Sequence, residues 1–166
     1  MKISEHISYI EATKSSIASK LGIDNTPNTS QLLNMKELAY NVFEVIRDYF
    51  KTPIYVSSFY RSSELNKVLK GAKNSQHLCN NGAAIDVDAD IYGNISNLDI
   101  FFYILDNLKF DQLILEDVRN NNAGWVHVSY NKGKNRNKAL LMYREEGKTK
   151  YEEYSLKRLN ELLKLK

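Results

Sequence analysis

The sequence predicts an α+β fold with a mainly antiparallel sheet and helices packed on one side of it. Segments with helical periodicity are concentrated in the first half of the chain, whereas most strand-like segments follow one another in the second half. Strands that are close in sequence tend to pair locally, which favours antiparallel neighbours. A length of 166 residues suits one core, so we expect residues 1–166 to form a single domain.

Five segments have the features of helices. The first spans Ile10–Leu21 and ends at Gly22, a residue suited to a left-handed C-cap. The second is the most regular, because polar residues at 28–30 offer N-caps and apolar residues then recur every three or four positions as far as Phe50. The other three are predicted at Ser63–Leu69, Asn97–Leu108 and Leu156–Leu165.

Five segments rich in branched, apolar or alternating residues are predicted as strands. They lie at Ile54–Ser58, Ala83–Ala89, Gln112–Glu116, Trp125–Ser129 and Ala139–Tyr143, and a hairpin-like sequence follows at 145–154. Side chains alternate between the two faces of a strand. This places Asp86, Asp88 and Asp90 on one face of the second segment.

Composition and charge exclude several classes of protein. The chain is 43% hydrophobic and 26% charged, as expected of a globular protein, and its net charge is only +3. That charge does not suggest a nucleic-acid binder, and no apolar run approaches the roughly 20 residues of a membrane span. The N-terminal stretch lacks the apolar segment of a signal peptide. We therefore expect synthesis in the cytoplasm and, for action on a cell wall, release by another factor.

Two histidines and one aspartate form a candidate metal-binding set. His77 lies in a polar loop, whereas Asp86 and His127 lie on different predicted strands. Two imidazoles and one carboxylate leave the fourth position of a tetrahedral zinc ion free for water, as in catalytic zinc sites. Judged by spacing alone, ordinary surface histidines and an acidic strand end explain these residues equally well.

Six short blocks of sequence give independent support to the metal site. They are Ser58–Ser62, Leu65–Asn66, Gly71–His77, Gly82–Asp86, Phe110–Glu116 and Trp125–Ser129. In sequence and order they resemble the zinc D-alanyl-D-alanine carboxypeptidase family, many of whose members are phage-encoded or phage-derived cell-wall hydrolases. The resemblance covers about residues 29–130. It implies a hedgehog/D-Ala-D-Ala peptidase-like fold and a zinc peptidase that acts on the stem peptides of peptidoglycan.

The resemblance also implies roles for individual residues. His77, Asp86 and His127 would bind one zinc ion. Arg61 would bind the substrate carboxylate or polarise the scissile carbonyl, and Ser75 would help to hold the substrate. A surface ion pair is the competing interpretation of Arg61. The resemblance implies cleavage either of the terminal D-Ala-D-Ala bond or of an internal bond such as L-Ala to D-Glu.

A zinc peptidase also needs a base, and we assign this role to Glu116. Similar sequences often carry the catalytic acid three residues before the last histidine, where this chain has Gly124. Glu116 ends a predicted strand and projects to the same side as Gln112 and Ile114. Asp117 is the alternative base, and a solvated strand-end carboxylate is the competing interpretation of Glu116.

Other residues near the blocks leave alternatives open. Tyr60 and Trp125 are assigned to the walls of a substrate groove, although packing explains them equally well. Asp88 rivals Asp86 as a ligand, but we expect it to orient a ligating histidine or to cap the strand end. Cys79 is expected to be an inert thiol, since as a fourth ligand it would close the site.

The chain departs from the family pattern at several positions, and two other functions are considered beside the peptidase. Eight residues separate His77 from Asp86, where about six are common, and Phe59 stands where glycine is common. A metal-bearing but non-hydrolytic binding or structural module, as in the similar hedgehog domains, is the first alternative. Nucleic-acid binding by the basic run Lys132–Lys138 is the second, and a solvated loop is the simpler interpretation of that run.

Overall fold

The computed structural model describes residues 1–164, which contain one six-stranded sheet. Its strands are β1 (Tyr55–Ser58), β2 (Ala83–Asp88), β3 (Gln112–Glu116), β4 (Trp125–Tyr130), β5 (Lys138–Glu145) and β6 (Lys148–Glu153). The strand order is β1-β2-β4-β3-β5-β6, and every pairing is antiparallel except that of β3 with β5. The α+β class and the mainly antiparallel sheet are therefore confirmed.

The helices follow the predicted pattern except in the first segment. They are α1 (Tyr9–Thr13), α2 (Ser16–Leu21), α3 (Thr29–Leu38), α4 (Glu44–Phe50), α5 (Ser63–Val68), α6 (Asn97–Asn107) and α7 (Leu156–Leu163), with a π-helical turn at Ala39–Phe43 and a 3-10 turn at Gln76–Leu78. The single helix predicted at Ile10–Leu21 is wrong, because Ser15 is extended and its hydroxyl caps α2 by accepting a bond from the Ala18 amide. Residue 165, the predicted end of α7, lies outside the described residues.

The long amphipathic segment is continuous through α3, the π-helical turn and α4. It begins with a capping box in which Asn28 and Gln31 each accept a hydrogen bond from the other's backbone amide. Its apolar stripe, which includes Met35, Leu38 and Phe43, is buried in the main core. The helices cover one face of the sheet with their apolar side chains. Val87 and its apolar neighbours on the other strands are buried on this face.

The opposite face of the sheet carries the polar residues that the sequence analysis identified. Asp86 pairs with His127 across β2 and β4, and His127 pairs with Ile114 across β4 and β3. Paired residues project from the same face of a sheet. Strand alternation therefore places carboxylate and imidazole groups together on the face that the helices leave open.

Gly82 sets the start of β2 and so the register of Asp86. Its φ is +84°, and a Cβ atom at this position would collide with the carbonyl oxygen of Tyr130. Only glycine combines this backbone conformation with so close an approach.

Among the described residues, no helix is long and apolar enough to cross a bilayer.

Candidate metal centre and active site

Three side chains from separate parts of the chain converge on the open face of the sheet. His77 Nε2 lies 3.2 Å from Asp86 Oδ1, and His127 Nδ1 lies 2.8 Å from the same oxygen. All three side chains are buried, and one possible ligand atom from each lies within 4.8 Å of the others. The structure thus brings together the three residues assigned to the metal.

The hydrogen bonds of His77 prepare one of its ring nitrogens to bind a cation. Its Nδ1 lies 2.7 Å from the carbonyl oxygen of Phe59, which can only accept, so Nδ1 carries the proton. Burial lowers the pKa of His77, which favours the neutral ring. Nε2 then directs a lone pair at Asp86, an arrangement that a cation stabilises and that is typical of a metal-binding histidine held by a backbone carbonyl.

Asp86 is an ionised carboxylate in a buried place. Burial by itself would raise the pKa of Asp86, but the His127 imidazole at hydrogen-bond distance holds that pKa below its usual range. An ionised oxygen between two imidazole nitrogens matches the donor set of zinc sites with two histidines and one carboxylate. The residues therefore fit a zinc ion.

Arg61 occupies the other side of the Asp86 carboxylate. Its Nη2 donates to Asp86 Oδ2 at 3.2 Å, and its Nε donates to Ser58 Oγ at 3.1 Å. Its backbone amide also donates to the carbonyl oxygen of His77. The end of β1 is thereby tied to the turn that carries His77, and the guanidinium lines the cavity above the sheet.

Glu116 lies on the same face of the sheet as His127, one strand away. It pairs with Trp125, two residues before His127 on β4, and its side chain faces the cavity with only 7% of the residue exposed. Burial raises the pKa of Glu116 to about 7, and the nearby His127 partly opposes this effect. A carboxyl group that exchanges its proton near neutral pH is suited to general acid–base catalysis.

An open cavity of about 1050 Å³ covers these residues, and Ser75 and Trp125 line it. The Ser75 hydroxyl accepts a hydrogen bond from the His77 amide at 3.4 Å. Ser75 therefore also caps the 3-10 turn that carries His77. Trp125 is half-buried and packs against Ile114 and its apolar neighbours on β5. Trp125 therefore combines packing with a position on the cavity wall.

The assignment of Tyr60 to the substrate groove is corrected by the structure. Tyr60 is only 5% exposed, packs in the main core and does not line the cavity. Its hydroxyl donates to Gln31 Oε1 at 3.3 Å. Neighbouring side chains of an extended segment point in opposite directions, so the orientation of Arg61 into the cavity turns Tyr60 into the core.

The lengthened segment between His77 and Asp86 is fixed by side chains from α3. Gln31 Nε2 donates to the carbonyl oxygen of Leu78 at 3.0 Å, and Asn34 Nδ2 donates to that of Cys79 at 2.9 Å. The extra residues are thus held against the helix. Phe59 is not among the residues with a positive φ, so the replacement of glycine there causes no strain.

The structure does not support Cys79 or Asp88 as a metal ligand. Cys79 is buried in the core and lies outside the metal-donor group, and burial raises the pKa of its thiol to about 12. Asp88 Oδ1 accepts hydrogen bonds from Asn97 Nδ2 at 3.0 Å and from the Asp90 amide at 3.1 Å. Asp88 thus caps the end of β2.

Two buried polar residues near the site were missed by the sequence analysis. Asn97, at the start of α6, donates from Nδ2 to the carbonyl oxygens of Ala123 and Gly124, which lead into β4. Asp111 accepts hydrogen bonds from Gln76 and Arg136. Asp111 stands in one of the six sequence blocks, but Arg136 lies 25 residues further along the chain. No local pattern therefore reveals the pair of Asp111 and Arg136.

A buried set of two imidazoles and a carboxylate, beside a second carboxyl group and a guanidinium in an open cavity, is the type of centre found in metal-dependent hydrolases. Comparison with known families leads to the same class. A sequence model described as Peptidase M15 matches residues 5–129, which is most of the chain, and the protein therefore belongs to this peptidase family. The match includes all three metal-donor residues and ends before β5 and β6. No curated protein matches the chain.

Proposed function

We propose that this protein is a zinc-dependent peptidase that hydrolyses a peptide bond in the stem peptide of peptidoglycan. Membership of a peptidase family supports hydrolysis of a peptide bond. The convergence of His77 and His127 on one oxygen of Asp86 is the observation that carries the zinc dependence. The substrate is supported by the six sequence blocks. The enzyme would act as a D-Ala-D-Ala carboxypeptidase or as an L-Ala to D-Glu endopeptidase, the latter an activity suited to a phage endolysin.

In this proposal each residue of the site has a defined chemical task. His77 Nε2, the Asp86 carboxylate and His127 Nδ1 would hold the zinc ion. When bound, the ion supplies Lewis-acid chemistry, which lowers the pKa of a water molecule to about 7 and polarises the scissile carbonyl. Glu116 would take the proton of the attacking water and pass it to the leaving amine.

Arg61 and the wall residues would position the substrate. The Arg61 guanidinium is fixed by Ser58 and Asp86 while it faces the cavity, so it can bind a terminal carboxylate or the oxygen of the scissile carbonyl. Ser75 and Trp125 would contact the peptide from the cavity wall. Tyr60 has no part in this arrangement because it lies in the core.

Digestion of purified peptidoglycan, followed by mass analysis of the released muropeptides, tests the proposal. The zinc-loaded protein should release products, a chelator should abolish release, and added zinc should restore it. Glu116→Gln should retain zinc and lose at least about 100-fold in rate. Undiminished cleavage by this variant would remove Glu116 from the mechanism. Binding of peptidoglycan by the zinc-loaded protein without any product would instead support a non-hydrolytic module.

A further inference from the structure

We infer that the cavity contains a second subsite, which binds an anionic group of the substrate at a distance from the scissile bond. This inference rests on the proposed function and specifies the substrate of the same site. The subsite consists of four basic residues that line the cavity: Lys70, Lys73, Lys134 and Arg136. Two of them lie beyond residue 129, where the family match ends, so family membership says nothing about them.

Arg136 is held in a fixed orientation by a buried carboxylate. Its Nε and Nη2 donate to the two oxygens of Asp111 at 2.8 and 2.6 Å, and its backbone amide donates to Asp111 Oδ1 at 3.2 Å. The Asp111 side chain is only 5% exposed, whereas that of Arg136 is 57% exposed. The Nη1 atom of the Arg136 guanidinium has no hydrogen-bond partner among residues 1–164. An anchored guanidinium of this kind binds a carboxylate with little further loss of side-chain entropy.

The same buried carboxylate connects the subsite to the metal centre. Asp111 Oδ2 accepts a hydrogen bond from Gln76 Nε2 at 2.5 Å, and Gln76 directly precedes His77. The Asp111 amide donates to the carbonyl oxygen of Ser129, two residues beyond His127 on β4. Two residues of a strand span roughly 7 Å. An extended substrate would thus place a carboxylate at the subsite about two residues from the bond held at the metal centre.

The basic run that contains Lys134 is not a uniform solvated face. Lys132 donates to Glu37 Oε1 at 2.8 Å and does not line the cavity. Lys70, Lys73 and Lys134, in contrast, have no carboxylate within ion-pair distance among the described residues. The subsite therefore combines four cations with the single carboxylate of Asp111. Positive charge concentrated in a cleft attracts anions to it.

Binding of two matched peptides tests the subsite without any need for turnover. The probes are an acetylated tripeptide with a glutamate residue and the same peptide with glutamine, and calorimetry measures their affinities for zinc-loaded Glu116→Gln protein. We expect the glutamate peptide to bind about tenfold more tightly. Lys134→Gln should reduce this ratio about threefold, the effect of one partly exposed ion pair.

Lys132→Gln is the matched control, because it removes the same charge from the same loop at a residue outside the cavity. It should leave the ratio of the two affinities unchanged. Equal affinities for the two peptides overturn the inference, as does an equal effect of both lysine variants, which would reflect net charge alone. A DNA oligonucleotide is a further probe. If it binds more tightly than the glutamate peptide and Lys134→Gln abolishes this binding, the inference is overturned in favour of nucleic-acid binding.

Cleavage of stem peptides with a free or an amidated carboxylate two residues from the scissile bond separates this inference from the proposed function. The wild-type enzyme should prefer the free acid, and Lys134→Gln should raise KM for it with little change in kcat. Cleavage of both peptides at equal kcat/KM would uphold the peptidase and overturn the subsite. No cleavage of either peptide, together with preferential binding of the acidic probe, would reject the peptidase and uphold the subsite.

Discussion

Replacing Glu116 with glutamine in the metal-free protein has an effect on stability that follows directly from burial. The Glu116 carboxyl accepts no hydrogen bond from any described residue, so only the nearby charges of His127 and Arg61 offset part of the cost of its burial. Its pKa is raised from 4.5 to about 7. At 1.36 kcal/mol for each pKa unit, the ionised carboxylate costs the folded state about 3 kcal/mol.

The pH range of the effect is set by the two pKa values. Between pH 4.5 and about 7 the unfolded chain has lost the Glu116 proton while the folded protein still holds it, so the free energy of unfolding falls as pH rises. Glutamine has a similar shape and does not ionise. We therefore expect Glu116→Gln to gain stability relative to the wild type by about 2.5 kcal/mol between pH 5 and pH 8.5.

Urea denaturation of both proteins in the presence of a chelator, at several pH values, measures this difference. Subtracting the wild-type free energy of unfolding from that of the variant removes the contributions of all other titrating groups. Glu153→Gln, a change at an exposed carboxylate that forms no ion pair among the described residues, controls for a general loss of negative charge. A difference between Glu116→Gln and the wild type that stays constant with pH would refute the assignment of a raised pKa to Glu116.

Three other substitutions, with Gly133→Ala as a control, test separate parts of the site and of the sheet that carries it. Asp86→Asn removes the anionic metal donor and should weaken zinc binding at least about 100-fold in competition with a chromophoric chelator; unchanged affinity would exclude Asp86 as a ligand. Arg61→Lys keeps the charge but cannot reproduce both hydrogen bonds of the guanidinium, so kcat/KM should fall about tenfold, and full activity would contradict a positioning role. Gly82→Ala should lower the free energy of unfolding by about 3 kcal/mol, because its methyl group meets backbone, whereas Gly133→Ala, with φ +75° and no neighbour within 4 Å, should lose about 1 kcal/mol. Equal losses in these two variants would show that the close approach at Gly82 has no effect.

The parts of the fold that the sequence predicted well depend on local patterns. The strands that carry Asp86 and His127 were predicted, and the strand predicted at Gln112–Glu116 has the bounds that the structure shows. The position of His77 had no local signal, because a polar loop has no periodicity. Only the resemblance of its block to the carboxypeptidase family connected it with the other two residues.

The parts that the sequence did not predict depend on contacts between distant residues. The break before α2 arises because the Ser15 hydroxyl offers a cap in competition with continued helix. The burial of Tyr60 follows from the direction of the chain after β1, which the sequence pattern does not define. Asp111 and Arg136 meet only because β3 and β5 are parallel neighbours, a pairing between strands that are not consecutive in the sequence.

The most direct test of the account is a crystal structure of the zinc-loaded protein with anomalous data collected at the zinc absorption edge. We predict one strong peak at roughly 2.0 to 2.2 Å from His77 Nε2, an Asp86 oxygen and His127 Nδ1. A second group of possible donors, Glu5, His6 and Glu44, lies at the surface. A peak at that group alone, or the lack of any peak between His77 and His127, would contradict the account.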